Sequence, residues 1–187
     1  AESNWAGSEF GCSVGTAGDV NGDGYSDVIV GASSYNNGSS GEGMAFAWYG
    51  SSTGLGANGT PDNADWKAES NNASARFGSS VGTAGDVNGD GYSDVIVGAP
   101  YYTNDLTSEG MAFVYHGSTG GLNTTAAWSK EGNQAYALFG NSVGTAGDVN
   151  ADGYSDVIIG APSYDNPDNA EGRAYVIRPV GAGPSCG

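Results

Sequence analysis

Short apolar blocks bounded by Gly, Asn, Asp and Ser clusters run the length of the chain, and no segment carries an apolar 3.6-residue period long enough for a helix. Blocks rich in Val, Ile, Tyr and Phe between such clusters predict strands joined by turns. DVIVGA at Asp27–Ala32 and Asp94–Ala99, and DVIIGA at Asp156–Ala161, are apolar at successive positions, so these strands are expected to be covered on both faces. A further strand is predicted in EGMAFAWYG at Glu42–Gly50, EGMAFVYHG at Glu109–Gly117 and EGRAYVIRP at Glu171–Pro179. A small-residue strand, around Gly11–Gly18 in its first occurrence, comes before each acidic turn, and a more polar strand centres on Trp66 and Trp128.

These blocks belong to a repeat. SVGTAGDVNGDGYSDVIVGA occurs unchanged at Ser13–Ala32 and Ser80–Ala99, and returns at Ser142–Ala161 with two substitutions, Ala151 and Ile159. Aligned on Phe10, Phe77 and Phe139, the units have periods of 67 and 62 residues. Fixed-period self-similarity sets the architecture. Four antiparallel strands per unit is the make-up of a β-propeller blade, and Ala45, Ala47 and Ala112 would let neighbouring sheets approach closely. A β-sandwich is the alternative all-β arrangement. The expected organisation is a three-blade segment over residues 1–179, with repeats at about 1–67, 68–129 and 130–179, followed by a tail at 180–187. Ala1–Asn4 matches Ala68–Asn71, so the chain is expected to enter at the end of a fourth strand and its last unit to stop after a third. Such ends could complete a blade with another part of the polypeptide or with another chain.

Composition narrows the partners. Of 187 residues, 21 are acidic and 5 basic, for a net charge of -16, which disfavours nucleic acid and anionic membrane surfaces. No run of 18 apolar residues is present, so no transmembrane helix or membrane insertion is expected. Aromatic residues at 11%, in ordered recurring blocks, argue against disorder. The start at Ala1 fits either a removed secretion signal or a trimmed chain.

Three acidic loops hold nine carboxylates with no Lys or Arg among them. Each reads Asp-x-Asn-x-Asp-Gly-Tyr-x-Asp, placing oxygen donors at alternate positions as a hard cation such as Ca²⁺ requires. The candidate ligands are the side chains of Asp19, Asn21 and Asp23, the carbonyl of Tyr25, and Asp27 as a bidentate closing ligand. Their equivalents are Asp86, Asn88, Asp90, Tyr92 and Asp94, then Asp148, Asn150, Asp152, Tyr154 and Asp156. A helical EF-hand loop is excluded, because its twelfth position is Val30, Val97 or Ile159, inside a strand. An Asx-rich turn without metal would explain one such loop. It does not explain three, because carboxylates about 4 Å apart repel by roughly 1 kcal/mol in water and about 4 kcal/mol at an effective dielectric of 20. Three structural Ca²⁺ sites are expected.

Phe-Gly at 10–11, 77–78 and 139–140, Gly-Ala-Pro at 98–100 and 160–162, and the acidic loop between them resemble the FG-GAP repeat of integrin α-subunit propellers and related bacterial proteins. Gly31-Ala32-Ser33 departs only in its last residue. The resemblance implies calcium-rigidified hairpins on one face of a propeller and partner binding on the opposite face. Integrin propellers have seven blades and this chain encodes three, so either a longer polypeptide or association of copies is implied, two chains giving six blades.

Tyr35, Tyr102 and Tyr164 recur in the loop after the second strand, and Tyr101 stands beside one of them without repeating. They are the candidate ligand-binding rim, with hairpin packing as the alternative for the three that repeat. Trp66 and Trp128 read as blade packing, and His116, the only histidine, is not expected to be catalytic. Cys12 replaces Ser79 and Asn141 of the other repeats and, with Cys186, forms a candidate disulfide in an oxidising compartment. The expected function is a non-catalytic, calcium-stabilised extracellular module mediating protein adhesion or self-association into a homodimer or larger assembly. A carbohydrate-binding lectin and an accessory propeller of a secreted hydrolase are the alternatives.

Overall fold

The computed structural model describes residues 5–56, 59–179 and 184–185. These form three antiparallel four-stranded sheets. The first contains β1 (Phe10–Gly18), β2 (Asp27–Ala32), β3 (Met44–Trp48) and β4 (Trp66–Glu69), in that spatial order. The second repeats the order with β5 (Ser80–Gly85), β6 (Asp94–Ala99), β7 (Met111–Tyr115) and β8 (Trp128–Glu131). The third contains β9 (Ser142–Gly147), β10 (Asp156–Ala161), β11 (Arg173–Pro179) and β12 (Pro184–Ser185). The last pair changes the sequence-based expectation: two residues of the segment read as a tail pair with Arg178 and Pro179 and supply a short fourth strand.

The register between second and third strands is the same in every sheet. Val28 opposes Trp48, Val95 opposes Tyr115 and Val157 opposes Ile177. Each first strand carries an irregularity just before its acidic loop, between Thr16 and Gly18, Thr83 and Gly85, and at Asp156/Val157 in the third pair. The extra residue turns the chain into the loop, and the threonine hydroxyl binds the glycine N–H, as from Gly18 to Thr16 at 3.0 Å.

Two of the three apolar cores are buried between sheets, and the third, around Val30, Phe46 and Trp48, lies within the first unit. Ala17, Val20 and Ile29 of the first sheet share a core with Phe77, Val81 and Val97 of the second. Ala84, Val87 and Ile96 of the second share one with Phe139, Val157 and Ile159 of the third. Stacking of four-stranded sheets along their faces, with the innermost strands β1, β5 and β9 side by side, is propeller-blade packing. The sheets also touch through backbone. Gly43 bridges Phe77 and Gly110 bridges Phe139, and the N–H of each Phe donates to Glu42 or Glu109 at 2.8 and 3.0 Å. A side chain at Gly43 or Gly110 would strike the Phe main chain, which is why glycine stands there at φ 78° and 79°.

Meandering strands place the acidic loops and the β3–β4 type loops at one end of the blades, and the β2–β3 type loops at the other. No helix among the described residues is long and apolar enough to cross a membrane, and Pro61–Asn63 forms a single 3-10 turn.

Candidate metal loops and the opposite rim

The loops between first and second strands are built by their own aspartates. Asp19 accepts N–H groups from Gly22 at 2.7 Å and Asp23 at 3.1 Å on Oδ1, and from Gly24 at 2.9 Å on Oδ2. Asp23 accepts from Tyr25 at 3.0 Å, and the Asn21 amide spans to Asp23 Oδ2 at 3.0 Å. The second loop repeats this with Asp86, Asn88 and Asp90, including Gly89 N–H to Asp86 at 2.6 Å. In the third, Asp148 accepts from Asp152 and Gly153 at 3.1 and 2.9 Å. The Gly153 N–H is the main cause holding the Asp148 carboxyl below its ordinary range.

The ninth-position aspartate is different in kind. Asp27, Asp94 and Asp156 are fully buried. Asp27 Oδ2 accepts from Val20 N–H at 2.8 Å and Oδ1 from Gly50 N–H at 2.7 Å, so it ties the loop to the end of β3. Asp94 makes the matching pair with Val87 and Gly117, both at 2.8 Å. Burial pushes both carboxyls up, Asp94 to about 7; the two N–H bonds oppose the shift and the neighbouring loop carboxylates add to it. Among the described residues Asp156 keeps only the first bond, from Val149 at 2.9 Å, and its buried Oδ1 has no partner there. The residue aligned with Gly50 and Gly117 is Pro179, which has no N–H.

Among the described residues no three acidic side chains are gathered at metal-ligating positions. The donor set nevertheless fits a hard dication: each loop carries three carboxylates and an amide oxygen, and the buried carboxyl is surrounded by like charges. The partnerless Asp156 Oδ1 is a buried acceptor for which a cation would be a fitting partner. Asp19, Asn21, Asp23, the Tyr25 carbonyl and Asp27, with their equivalents in the other loops, could hold it, provided that each Asn amide turns its oxygen inward.

Tyr25, Tyr92 and Tyr154 were singled out for their carbonyls, but two of their rings have a separate role. A Cβ at Gly22 would lie 2.6 Å from the Tyr92 ring of the next blade, and one at Gly89 would lie 2.8 Å from the Tyr154 ring. The third loop has no following blade among the described residues, and there Ala151 replaces glycine at φ 60°.

At the opposite end, Tyr35 is buried against Phe46 and Trp5, with ring centroids 5.6 and 5.3 Å apart. Tyr102 and Tyr164 are half-buried against Phe113 and Tyr175. Tyr101 is the exposed member of the predicted rim, with the Arg76 guanidinium 4.9 Å from its ring centre. It lines an open cleft of about 520 Å³ with Tyr136, Leu138, Ser163, Asp165 and Asn169, at the junction of the second and third sheets. Tyr136, 62% exposed and at φ 62°, was not picked out from the sequence; it falls outside the repeated core, where Ser74 stands in the preceding unit.

Two further residues escaped sequence reasoning. Glu42 and Glu109 are buried and bind loop N–H groups, Asn37 and Ser39 for the first, Asn104 and Leu106 for the second. Their recurrence at the head of EGM was the available signal. Trp66 is buried and bridges blades through its indole N–H to the Asn123 carbonyl at 2.9 Å. Cys12 is exposed, and its thiol lies 3.5 Å from the Gly78 carbonyl; Cys186 lies outside the described residues.

Three meander sheets joined through glycine-mediated backbone contacts, each with a nine-residue acidic hairpin loop, define a propeller-type repeat protein. The FG-GAP repeat model matches residues 10–46, 77–115 and 139–177, and the chain belongs to the FG-GAP repeat family. It is 36% identical to human integrin alpha-6 over 83% of its length and 13% of that protein. It is 35% identical to chicken integrin alpha-V over 91% of its length and 16% of that protein, and 35% identical to fruit-fly integrin alpha-PS5 over 83% and 15%. The chain thus spans about a seventh of the curated relatives it matches, and it is an integrin-type propeller module.

Proposed function

We propose that this chain is a non-catalytic, calcium-stabilised extracellular interaction module. Its acidic loops hold three structural Ca²⁺ ions, and it recognises a protein partner through the opposite, loop-bearing end. The observation that carries the calcium reading is a fully buried carboxylate in each acidic loop, of which Asp156 retains an oxygen without a partner among the described residues. Calcium supplies the countercharge; the protein supplies the pre-turned backbone through Asp19, Asp86 and Asp148. Sites of this open extracellular type bind at roughly 10⁻⁴–10⁻³ M.

In millimolar calcium, up to about ten times such a dissociation constant, each site contributes up to about 1.4 kcal/mol. Melting should therefore shift upward by several degrees between EDTA and millimolar CaCl₂, with magnesium giving less. An unchanged melting temperature in EDTA would remove the calcium reading.

A glycan is the second ligand class, favoured by the cleft that joins exposed Tyr101 and Tyr136 to Asp165 and Asn169. Aromatic faces beside amide and carboxylate groups suit a sugar ring. Glycan-array binding that disappears in Tyr101→Ala would support it, and a blank array would leave the protein-partner reading.

A further inference from the structure

Four Asn-Gly pairs occur in the sequence, headed by Asn21, Asn37, Asn58 and Asn88. Asn58 lies outside the described residues, and the other three differ in their surroundings. In the acidic loops the glycine N–H is occupied: Gly22 donates to Asp19 Oδ1 at 2.7 Å, and Gly89 to Asp86 Oδ1 at 2.6 Å. The asparagine amides there are tied as well, to Asp23 and Asp90 at 3.0 and 2.9 Å. Gly38 lies in the β2–β3 loop at the opposite end, and its N–H has no acceptor among the described residues. It stands at φ 114°, with nothing within 4 Å of where a Cβ would be. Its nitrogen is therefore free to ionise and to turn toward the exposed Asn37 side chain.

The contacts around Asn37 define what a change there would do. Glu42, fully buried, accepts the N–H groups of Asn37 and Ser39 on one oxygen. Its other oxygen is buried without a partner among the described residues. The Asn37 side chain donates to Glu69 Oε2 at 2.8 Å and so fastens the loop to β4. The second unit is built alike: Asn104 and Leu106 bind Glu109, and Asn104 donates to Glu131 at 3.1 Å. Both asparagines are exposed, although the second unit has a neighbour on each side, so the exposure belongs to the position. The chemical difference is in the next residue. Asn104 is followed by Asp105, whose side chain and negative charge both hinder the attack that glycine leaves open.

We propose that Asn37 is a site of spontaneous deamidation, by which the β2–β3 loop of the first unit releases itself. The Gly38 nitrogen gives its proton to solvent and bonds to Asn37 Cγ. The bond from Cγ to the side-chain nitrogen then breaks, and ammonia leaves. Water opens the resulting cyclic imide at either carbonyl, giving aspartate or isoaspartate; no oxidant, reductant or enzyme enters. Either product sets a carboxylate against Glu69 in place of a donor. Isoaspartate also adds a carbon to the main chain between the two N–H groups that Glu42 holds on a single oxygen, so both cannot stay bound. In the acidic loops the same attack must first break the bond from the glycine N–H to a carboxylate, which slows it about ten- to a hundredfold. The inference depends on neither the partner reading nor the calcium reading.

The full chain is incubated in EDTA at mildly alkaline pH, so that no ion shields the acidic loops, and conversion at each asparagine is followed by mass-spectrometric peptide mapping. Asn37 should convert about ten- to a hundredfold faster than Asn21 and Asn88, and ahead of Asn104. In urea the three Asn-Gly pairs should approach a common rate. The converted fraction, separated by ion exchange, should show faster amide hydrogen exchange across residues 37–42 than the starting protein. Asn37→Asp, which lacks the longer main chain, should show a smaller rise, and Asn37→Gln should keep its loop protection through the incubation. Conversion of Asn21 or Asn88 as fast as Asn37, or an Asn37 amide as durable as that of Asn104, overturns the proposal. So does a rate difference undiminished in urea, or a converted chain whose loop exchanges no faster.

Discussion

The second and third acidic loops have nearly the same sequence and differ in how completely the fold supports them. Asp94 is buried between two N–H donors, one from its own loop and one from Gly117 at the end of β7. Asp156 is equally buried but has one donor among the described residues, Pro179 standing where Gly117 does. Gly89 lies beneath the Tyr154 ring, while Ala151 occupies the same left-handed position with no ring above it. A loop closed by the strand behind it and the blade beside it can be rigid before any ion arrives. Under the calcium reading, the third loop, which has no following blade among the described residues, would depend more on the ion.

Removing the buried carboxylates is the strongest way to break that comparison. Asp94→Ala strands two buried donors, each costing about 1–3 kcal/mol, whereas Asp156→Ala strands one and removes an already unpaired acceptor. Urea unfolding in EDTA should show Asp94→Ala as the more damaging by about 1–3 kcal/mol. Equal losses would mean that the Gly117 bond carries no weight.

A smaller effect is expected at the left-handed position. Gly89→Ala adds both backbone strain and a methyl against the Tyr154 ring and should cost about 1–3 kcal/mol. Ala151→Gly relieves only the strain and should change stability by no more than about 1 kcal/mol, in the favourable direction. Thermal melts of the two variants would read this asymmetry.

The pH dependence follows from Asp94, whose folded-state carboxyl is pushed up to about 7 by burial. Because the unfolded group ionises near 3.9, the unfolded chain binds fewer protons than the folded one between these values. Metal-free stability should therefore fall as pH rises from about 4 to about 7, and then level off. The stabilisation added by calcium should grow over the same window, since the ligand must be ionised. Denaturation in EDTA at pH 5 and pH 8 checks the sign, and Asp94→Asn should reduce the difference.

The smallest change expected is a gain. Pro179→Gly returns an N–H to face Asp156 Oδ1, a bond worth about 1 kcal/mol to a neutral carboxyl, and the added freedom of glycine in the unfolded chain offsets part of it. If stability fails to rise in EDTA, the lone oxygen of Asp156 is satisfied in another way.

Strand positions were legible because each strand is a local pattern. Met44–Trp48 and Met111–Tyr115 fall inside the segments expected from EGMAFAWYG and EGMAFVYHG. The loop aspartates could be located from spacing alone, and their turn is fixed by bonds between residues two to five apart. The roles of Glu42, Tyr92 and Tyr136 could not be read this way. Glu42 looks like an ordinary strand-edge acid until its burial is seen, and Tyr92 acts on Gly22 of another blade. Tyr35 shows the converse: an aromatic in a polar loop looks available for binding, yet it packs beneath Phe46.

By itself the sequence determined the repeat, the strands and the oxygen-rich loops, because hydrophobic period, glycine placement and Asx turn chemistry act over a few residues. Only the tertiary structure decided which copies of an identical residue are closed and which are open. Ile29, Ile96 and Ile158 have the same side chain and the same place in the same strand, yet Ile158, with no following blade among the described residues, is the exposed one. Burial depends on what stacks against a face, and the stacking partner lies a whole blade away in the chain.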